Sequence, residues 1–449
     1  MKKTLPLLTF AFLAGTTLLS SNSVGAGTAN ASLAREASLE METGIGGSVA
    51  DASLLLPGGR DLPAPGTPQV CRERRQALAA ALEEGVMFFH AGPDADGRFE
   101  ADVDFHYLTG LHRPDARLLL VAKAGKLLRD ELYLPVQSPQ KRLWQGPQLN
   151  PEDFEGSDAF GKVLPSAGFD EKALVMLAED KGIYSVGDTA IEELVDLEIK
   201  VKRARTLLNN LQVVKTPSEI AALEMAVDIT QAGIADAMRI ALPGTYEYQA
   251  EAAVDGGFRR RGAEFMAFPS ICGSAENACF LHYRANNRLM QDGDLLLMDV
   301  GAKYEGYSAD VTRTFPINGK FSPRQRELYE LVLEAQTVAV AALKPGVSMR
   351  DVHEVAAAFF EEKGVREHFK HGLGHQLGIR VHDVPGFRGP LKAGMLVTVE
   401  PGLYLADEGI GIRIEDDYLL TETGNRKLSD SIPSDPDELE AYIARLRKP

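Results

Sequence analysis

Leu295-Leu-Leu-Met-Asp-Val-Gly301 is an apolar run bounded by polar turn residues, and it reads as a buried strand ending on an acid, Asp299. A second β-favouring run, Tyr304-Glu-Gly-Tyr-Ser-Ala-Asp-Val-Thr-Arg-Thr-Phe315, carries Asp310. The short Gly-Ala-Lys stretch between them predicts a turn, so that the runs pair as a hairpin and bring two carboxylates together on neighbouring strands. The arrangement recurs downstream. Gly394-Met-Leu-Val-Thr-Val-Glu-Pro-Gly402 and Gly409-Ile-Gly-Ile-Arg-Ile-Glu-Asp-Asp417 place Glu400 and Glu415 at the ends of apolar alternations. His375 comes from the glycine-rich His371-Gly-Leu-Gly-His-Gln-Leu-Gly378, whose glycines let backbone approach a ligand closely.

Four carboxylates in an apolar setting repel one another and need protons or cations beside them. Oxygen ligands with one imidazole suit Mn, Co, Fe or Zn, and shared carboxylates suit two ions about 3.5–4 Å apart. Asp299, Asp310, His375, Glu400 and Glu415 are therefore candidate ligands of two divalent metal ions. Singly, each is an ordinary turn, cap or surface residue; the signal lies in the five together. Arg413, two residues before Glu415, points to the same strand face and is placed to orient a ligand carboxylate or the substrate.

The flanking sequence repeats itself. In Lys215-Thr-Pro-Ser-Glu219, Thr216 is an N-cap, Pro217 opens the helix and Glu219 completes a capping box; the helix runs to Ala241, before Pro243-Gly244. Ser322-Pro323 with Gln325 starts a second helix that ends at Leu343-Lys-Pro-Gly346. Each Pro-Gly precedes a hydroxyl residue (Thr245, Ser348), another amphipathic helix and an acid-bearing hairpin. This predicts a duplication in which two halves, related by a pseudo-twofold, each bring one hairpin to a shared site. Upstream, residues 72–84 read as a helix, and strands at 86–90, 117–121, 131–134 and 183–186 alternate with helical or irregular segments, a small α/β domain ending near Leu211.

The 449 residues accommodate two or three domains. A net charge of -16, from 48 basic and 64 acidic residues, argues against nucleic-acid or anionic-membrane partners. Lys2-Lys3, an apolar stretch from Leu5 to Leu19, and small residues at Ala29-Asn30-Ala31 or Val24-Gly25-Ala26 have the layout of a secretory signal peptide over 1–31, which predicts an exported protein, periplasmic or secreted; a retained N-terminal anchor is the other reading. No later run is long and apolar enough to span a bilayer. Residues 32–68, rich in Ala, Gly, Ser and Pro, read as a flexible linker. Cys71, Cys272 and Cys279 are too few for a disulfide framework and read as free thiols, a Cys272–Cys279 bridge remaining open.

Within MDVG, SADVTRTFP, HGLGHQLGIRVHD, TVEPGLY and GIRIEDD, the five ligands resemble the metal site of the pita-bread metallopeptidases, and the chain most resembles the Xaa-Pro aminopeptidases, with prolidase second. The resemblance covers about Gln69 to Arg447 and is strongest after Lys215. It implies an α/β (α+β) two-domain fold, with a creatinase-like N-terminal domain over 69–211 and a pita-bread domain over 212–449. It also implies a dinuclear site, most often Mn, that hydrolyses the X-Pro bond at peptide N-termini through a metal-bridging hydroxide. Glu400 would shuttle the proton; His282 in Asn277-Ala-Cys-Phe-Leu-His-Tyr283, with His371 and His382, would line the scissile bond and the proline side. Tyr404 and the loop around Arg388 would wall the substrate end. Asp104, in Asp102-Val-Asp-Phe-His-Tyr-Leu-Thr-Gly110, would recognise the free amino end, or else cap a helix. Trp144 would reach a neighbouring subunit's site in a homo-oligomer, dimer or tetramer, or else be a buried structural residue. Gln212 departs from the pattern, standing where some relatives carry Arg, and the segments before His371 and between Tyr404 and Gly409 are short. Methionine aminopeptidase fits the export signal and long N-terminal domain poorly, creatinase-like metal-independent enzymes have lost ligands intact here, and a non-catalytic peptide-binding homologue would be expected to have lost some too.

Overall fold

The computed structural model describes residues 63–94, 99–179 and 181–448. The expected signal peptide and most of the expected 32–68 linker lie outside the described residues. No described helix is long and apolar enough to cross a membrane.

The N-terminal part forms a six-stranded sheet in the order β4-β3-β2-β1-β5-β6, from β1 (Gly85–His90), β2 (Arg117–Lys123), β3 (Lys126–Leu134), β4 (Lys162–Pro165), β5 (Ile183–Ser185) and β6 (Val201–Arg203). β1 to β3 are antiparallel, while β4, β5 and β6 join by parallel pairing. The short β4 and β6 carry half-exposed side chains and gave no apolar signal in the sequence. Period-two alternation sorts β1 between two cores. Phe88 packs with Leu119, Leu174 and Ile183, whereas Met87 and Phe89 face Leu78, Phe105 and Leu118. That second core continues into the C-terminal part through Leu223, Val227, Tyr307, Leu377 and Ile379. One apolar seam therefore joins the two parts and reaches the loop that carries His375.

Helix α1 is Pro68–Leu82, four residues earlier than expected at its start, because Pro68 sits at N1 behind Thr67. α2 (Val103–Thr109) is capped by Asp102, whose side chain accepts from the amides of Asp104 and Phe105, so the cap is not Asp104. α3 (Pro139–Gln145), α4 (Glu171–Ala178), α5 (Asp188–Asp196) and α6 (Arg205–Gln212) complete this part.

In the C-terminal part both expected capping boxes are present: Thr216 with Glu219 starts α7 (Pro217–Ile240), and Ser322 with Gln325 starts α9 (Pro323–Ala342). After each Pro-Gly follow α8 (Glu247–Arg260) and α10 (Met349–Glu362), and α11 (Pro436–Leu446) closes the chain. Among the strands, β7 (Phe265–Met266) pairs with β10 (Ala302–Tyr304) and β8 (Ile271–Ser274) with β9 (Leu295–Val300). β9 also pairs with β12 (Val311–Pro316), but the Gly-Ala-Lys stretch is not the turn between them. It runs on into β10, which pairs with β11 (Tyr307–Ser308) around Glu305 and Gly306, both at positive φ. Gly301 makes that continuation possible, because a Cβ there would lie 1.9 Å from the Ala309 carbonyl oxygen. The second hairpin is also a double one: β13 (Leu396–Val399) pairs with β16 (Asp416–Leu420), and β14 (Gly402–Leu405) with β15 (Ile410–Arg413); β17 (Asn425–Lys427) flanks β16.

The two hairpins are fastened together by Arg313. Its buried guanidinium donates to the Glu415 carbonyl at 2.8 Å and to the Ser429 and Ile432 carbonyls, and pairs with the Asp416 carboxylate at 2.6 Å. Asp416, in turn, is held below the ordinary carboxylate range by Arg313 and Lys427 against the opposing effect of burial. Removing one member of such a pair leaves a buried charge uncompensated, at about 3–5 kcal/mol. Arg313→Ala is expected to lower the unfolding free energy measured in urea by an amount of that order, whereas Arg324→Ala, in an exposed pair with Glu408, leaves it within error.

Candidate metal and peptidase site

Three of the four acids sit where a strand ladder breaks, and the fourth lies near a strand end. Asp299 is next to last in β9, Asp310 separates β11 from β12, Glu400 lies between β13 and β14, and Glu415 between β15 and β16. At each break the chain leaves one sheet for another, so Asp310, Glu400 and Glu415 have no cross-strand partner among the described residues. Asp299 instead opposes Thr312 and Ile271 within its sheet. Mid-helix polar groups secure the breaks. Thr230 of α7 accepts from the Ala302 amide at 2.9 Å, and Gln336 of α9 donates to the Val399 and Ile414 carbonyls at 3.0 and 3.2 Å.

His375 is delivered by a loop laid against β13. The Thr398 hydroxyl accepts from the His375 amide at 3.1 Å, and the Thr398 amide donates to the His375 carbonyl at 2.9 Å. Gly374 is required there, because a Cβ would stand 2.1 Å from the Thr398 carbonyl oxygen. The His375 ring donates from Nδ1 to the Gln376 carbonyl at 3.1 Å, which leaves the Nε2 lone pair facing the acids. Nε2 lies 3.3 Å from Asp310 Oδ2 and 3.7 Å from Glu400 Oε1. Asp310, His375 and Glu415 offer ligand atoms all within 4.8 Å of one another. Asp299 joins them electrostatically: its charge acts on Asp310, Glu400 and Glu415 alike.

Burial, reinforced by these like charges, pushes Asp310 and Glu415 well above the carboxylate range. Glu400 is pushed up to about 8, chiefly by burial, with Arg413 opposing. Burial, then His382, lowers His375 to about 4, so its imidazole is neutral at pH 7. Asp299 Oδ1 and Asp310 Oδ1 are buried without a hydrogen-bond partner among the described residues. Partnerless inward oxygens, acids holding protons for want of counter-charge, and a neutral imidazole form a donor set that fits divalent cations.

Around the cluster, Arg413 pairs with Asp299 and donates from Nη1 to the Tyr404 hydroxyl at 2.8 Å; that hydroxyl lies 2.8 Å from His371 Nε2. His371 Nδ1 donates to the Gly372 carbonyl at 2.7 Å, so Nε2 accepts from Tyr404. The result is a continuous polar chain from Asp299 to His371, which lies 3.7 Å from Glu400 Oε2. His382 stands edge-on to His375, ring centroids 4.3 Å apart, and His282 is close enough for its charge to lower His382 further after burial. Arg388 is exposed on a loop beside Phe387 and the start of α10.

Two predicted residues differ from their expected settings. Asp104 is fully buried, and its carboxylate is paired with Arg205 at 2.8 Å and Arg380 at 2.6 Å and accepts from Gln212 at 3.0 Å; it has no oxygen free for a substrate amine. Trp144 is 79% exposed on α3, beside Leu143 at 81%, which excludes the buried structural alternative. Three contributors escaped the sequence reading. Thr312 donates to Glu415 Oε2 at 2.7 Å and accepts from Arg413 Nε, a role signalled by its two-residue spacing from Asp310. Glu247, at the start of α8, accepts from the Ser274 amide and hydroxyl, Asn277, Tyr283 and the Arg288 amide, fixing the loop that carries His282. Asp417 accepts from the Asp310 amide at 3.2 Å. The three cysteines are free thiols.

The sequence profile of metallopeptidase family M24 matches residues 221–422, and that of the aminopeptidase P N-terminal domain matches residues 71–184. The Xaa-Pro aminopeptidase of Haemophilus influenzae is 35% identical over 381 residues, covering 76% of this chain and 88% of the relative. The Escherichia coli Xaa-Pro aminopeptidase is 33% identical over 435 residues, covering 85% of this chain and 98% of that one. The chain belongs to the Xaa-Pro aminopeptidases of metallopeptidase family M24. Solved structures agree with this membership. Proline aminopeptidase P II from Yersinia pestis superposes with a TM-score of 0.78 at 33% identity, over 84% of this chain and 100% of that one. Aminopeptidase P from Escherichia coli with the inhibitor Pro-Leu gives 0.78 at 32%, over 85% and 99%. Family membership implies divalent metal ions, for which the acid cluster offers ligands.

The raised Glu400 pKa has a consequence for metal-stripped protein. Because the folded value of about 8 exceeds the ordinary 4.5, protonation favours the fold, and that contribution is lost as pH rises from 4.5 through 8. In chelator, wild type should therefore lose urea stability relative to Glu400→Gln between pH 5 and pH 8; a relative gain over that interval contradicts the charge crowding described here.

Proposed function

We propose that this Xaa-Pro aminopeptidase is an exported enzyme that uses two divalent ions, most often Mn, at Asp299, Asp310, His375, Glu400 and Glu415. What supports the reading is that Asp310, His375 and Glu415 offer ligand atoms within 4.8 Å of one another, with Glu400 Oε1 3.7 Å from His375 Nε2 and an oxygen of Asp299 and of Asp310 buried without a partner among the described residues. Bound there, two such ions supply Lewis acidity that polarises the scissile carbonyl and makes a water nucleophilic near neutral pH.

The remaining chemistry falls to the chain itself. Glu400, beside both His371 and His375, is placed to take the proton of the attacking water and return it to the departing proline nitrogen. His371, kept neutral and lowered to about 4 by burial and Arg413, has its ring fixed between Tyr404 and the Gly372 carbonyl and so walls the site beside Glu400. His382 and His282 line the same side, and Arg413 holds Asp299 in register with the cluster. A tertiary X-Pro amide has no N–H to offer, so recognition rests on shape and on the carbonyl, with Arg388 and Tyr404 walling the pocket. The paired exposed Leu143 and Trp144 support association of copies through α3. Light scattering on Trp144→Glu and the mass of the mature N-terminus test oligomer and export.

Supplied with Mn, the protein is expected to release the first residue from X-Pro-Y tripeptides, and Glu400→Gln to lower kcat by about 10²–10⁴ with little change in KM. Full activity in that variant removes Glu400 from the mechanism. Cleavage confined to X-Pro dipeptides would instead favour prolidase, the second reading.

A further inference from the structure

The loop from His375 to Asp383 holds both His375 and His382, and its tip is Arg380. We propose that Arg380 is a positioning residue: gripped by Asp104 and Gln212 of the N-terminal part, it fixes the histidine loop, so that this part of the chain sets the geometry of its own peptidase site.

The loop is closed on itself by the Asp383 amide donating to the Gln376 carbonyl at 2.9 Å and the Gly378 amide to the Arg380 carbonyl at 3.1 Å. Its apolar members Leu377 and Ile379 are embedded in the seam core shared with α2 and β2. Its polar members enter one buried network. Arg380 pairs with Asp104 at 2.6 Å and donates to Gln212 Oε1 at 3.3 Å, while Arg205 takes Asp104 from the other side at 2.8 Å. Asp383 pairs with Lys215 at 2.8 Å, and Lys215 Nζ donates to the Gln212 carbonyl at 2.8 Å. Gly378 admits Asp383 beneath the loop, since a Cβ there would lie 2.3 Å from Asp383 Oδ2. The charges alternate along Arg205, Asp104, Arg380, Asp383 and Lys215, and the two carboxylates are fully enclosed.

Gln212 explains itself in this setting. Its amide donates to Asp104 through Nε2 and accepts from Arg380 through Oε1, which only a neutral amide can do at once. An arginine at 212 would set a second cation against Arg380 and offer no acceptor. A surface ion pair would contribute little, but Asp104 has no exposure, and losing either partner strands a buried charge. Arg380 lies five residues from His375 and two from His382 along this closed loop, so releasing its guanidinium loosens the backbone that carries both imidazoles. Loss of such supporting contacts at metal sites lowers activity by about 10- to 100-fold.

The test is a kinetic cycle with a structural readout. It rests on His375 and His382 acting at the proposed site, and ring signals of metal-free protein report on the clamp even if that assignment is wrong. Arg380→Ala and Asp104→Ala should each lower kcat on an X-Pro-Y tripeptide by about 10- to 100-fold while KM moves less. The double variant should be no worse than the poorer single one. Arg380→Lys, which keeps charge but not the fork, should recover part of the loss; should the alanine variants fail to fold, it carries the comparison. The ¹⁵N ring signals of His375 and His382, assigned with His382→Gln, should shift in Arg380→Ala. They should stay put in Glu219→Gln, which weakens a second buried seam network of Arg74, Glu219 and Tyr307. A raised KM with unchanged kcat, losses that multiply, or unmoved ring signals overturn the proposal.

Discussion

Crowded negative charge out of water is the constraint around which this molecule is arranged. Two carboxylates 4.8 Å apart, the outer limit for Asp310 and Glu415, repel by about 3 kcal/mol at an effective dielectric of 20. A few such pairs rival the whole stability of a domain, about 5–15 kcal/mol. The cluster can persist only with protons, with a guanidinium, or with cations. Arg413 supplies one positive charge and is committed to Asp299 and Tyr404, while Asp310, Glu400 and Glu415 are pushed upward by burial first and by neighbouring acids second. An unmet demand for positive charge of this kind is what suits the cluster to divalent ions.

Holding such a cluster requires backbone that cannot relax outward. Two double hairpins supply the acids, three of them at ladder breaks, and Arg313, Thr312 and Thr314 tie one hairpin to the other across β12 and β15. Helices α7 and α9 stiffen the breaks from behind through Thr230 and Gln336. The N-terminal sheet then adds its apolar seam and the Asp104–Arg380 pair beneath the histidine loop. The N-terminal part thus packs directly against the loop that carries His375 and His382.

Features governed by local chemistry were legible in the sequence. Capping boxes at Thr216 and Ser322, strand runs ending on Asp299 and Glu400, and the repeated helix, Pro-Gly, helix order need only neighbours along the chain to be recognised. What the sequence hid depends on distant partners. The Gly-Ala-Lys stretch carries turn-like residues, yet Gly301 serves a close approach to Ala309, and the reversal falls at Glu305-Gly306. Asp104 has the composition of a binding residue, and its true partners, Arg205, Arg380 and Gln212, are invisible until the seam closes. Trp144 is a large apolar residue left outside, on a helix too short to bury any face. The five ligand candidates could be nominated from sequence because their number and flanking motifs compensate for the weakness of each alone, and three of them, Asp310, His375 and Glu415, offer ligand atoms within 4.8 Å of one another.

Metal stoichiometry tests the central claim most directly. Protein stripped with chelator and titrated with Mn by calorimetry, with metal analysis of the saturated sample, should take up two ions per chain, falling to one or none in Asp310→Asn and in Glu415→Gln. Wild-type protein that binds no divalent ion, or variants that bind as many ions as wild type, would contradict the account.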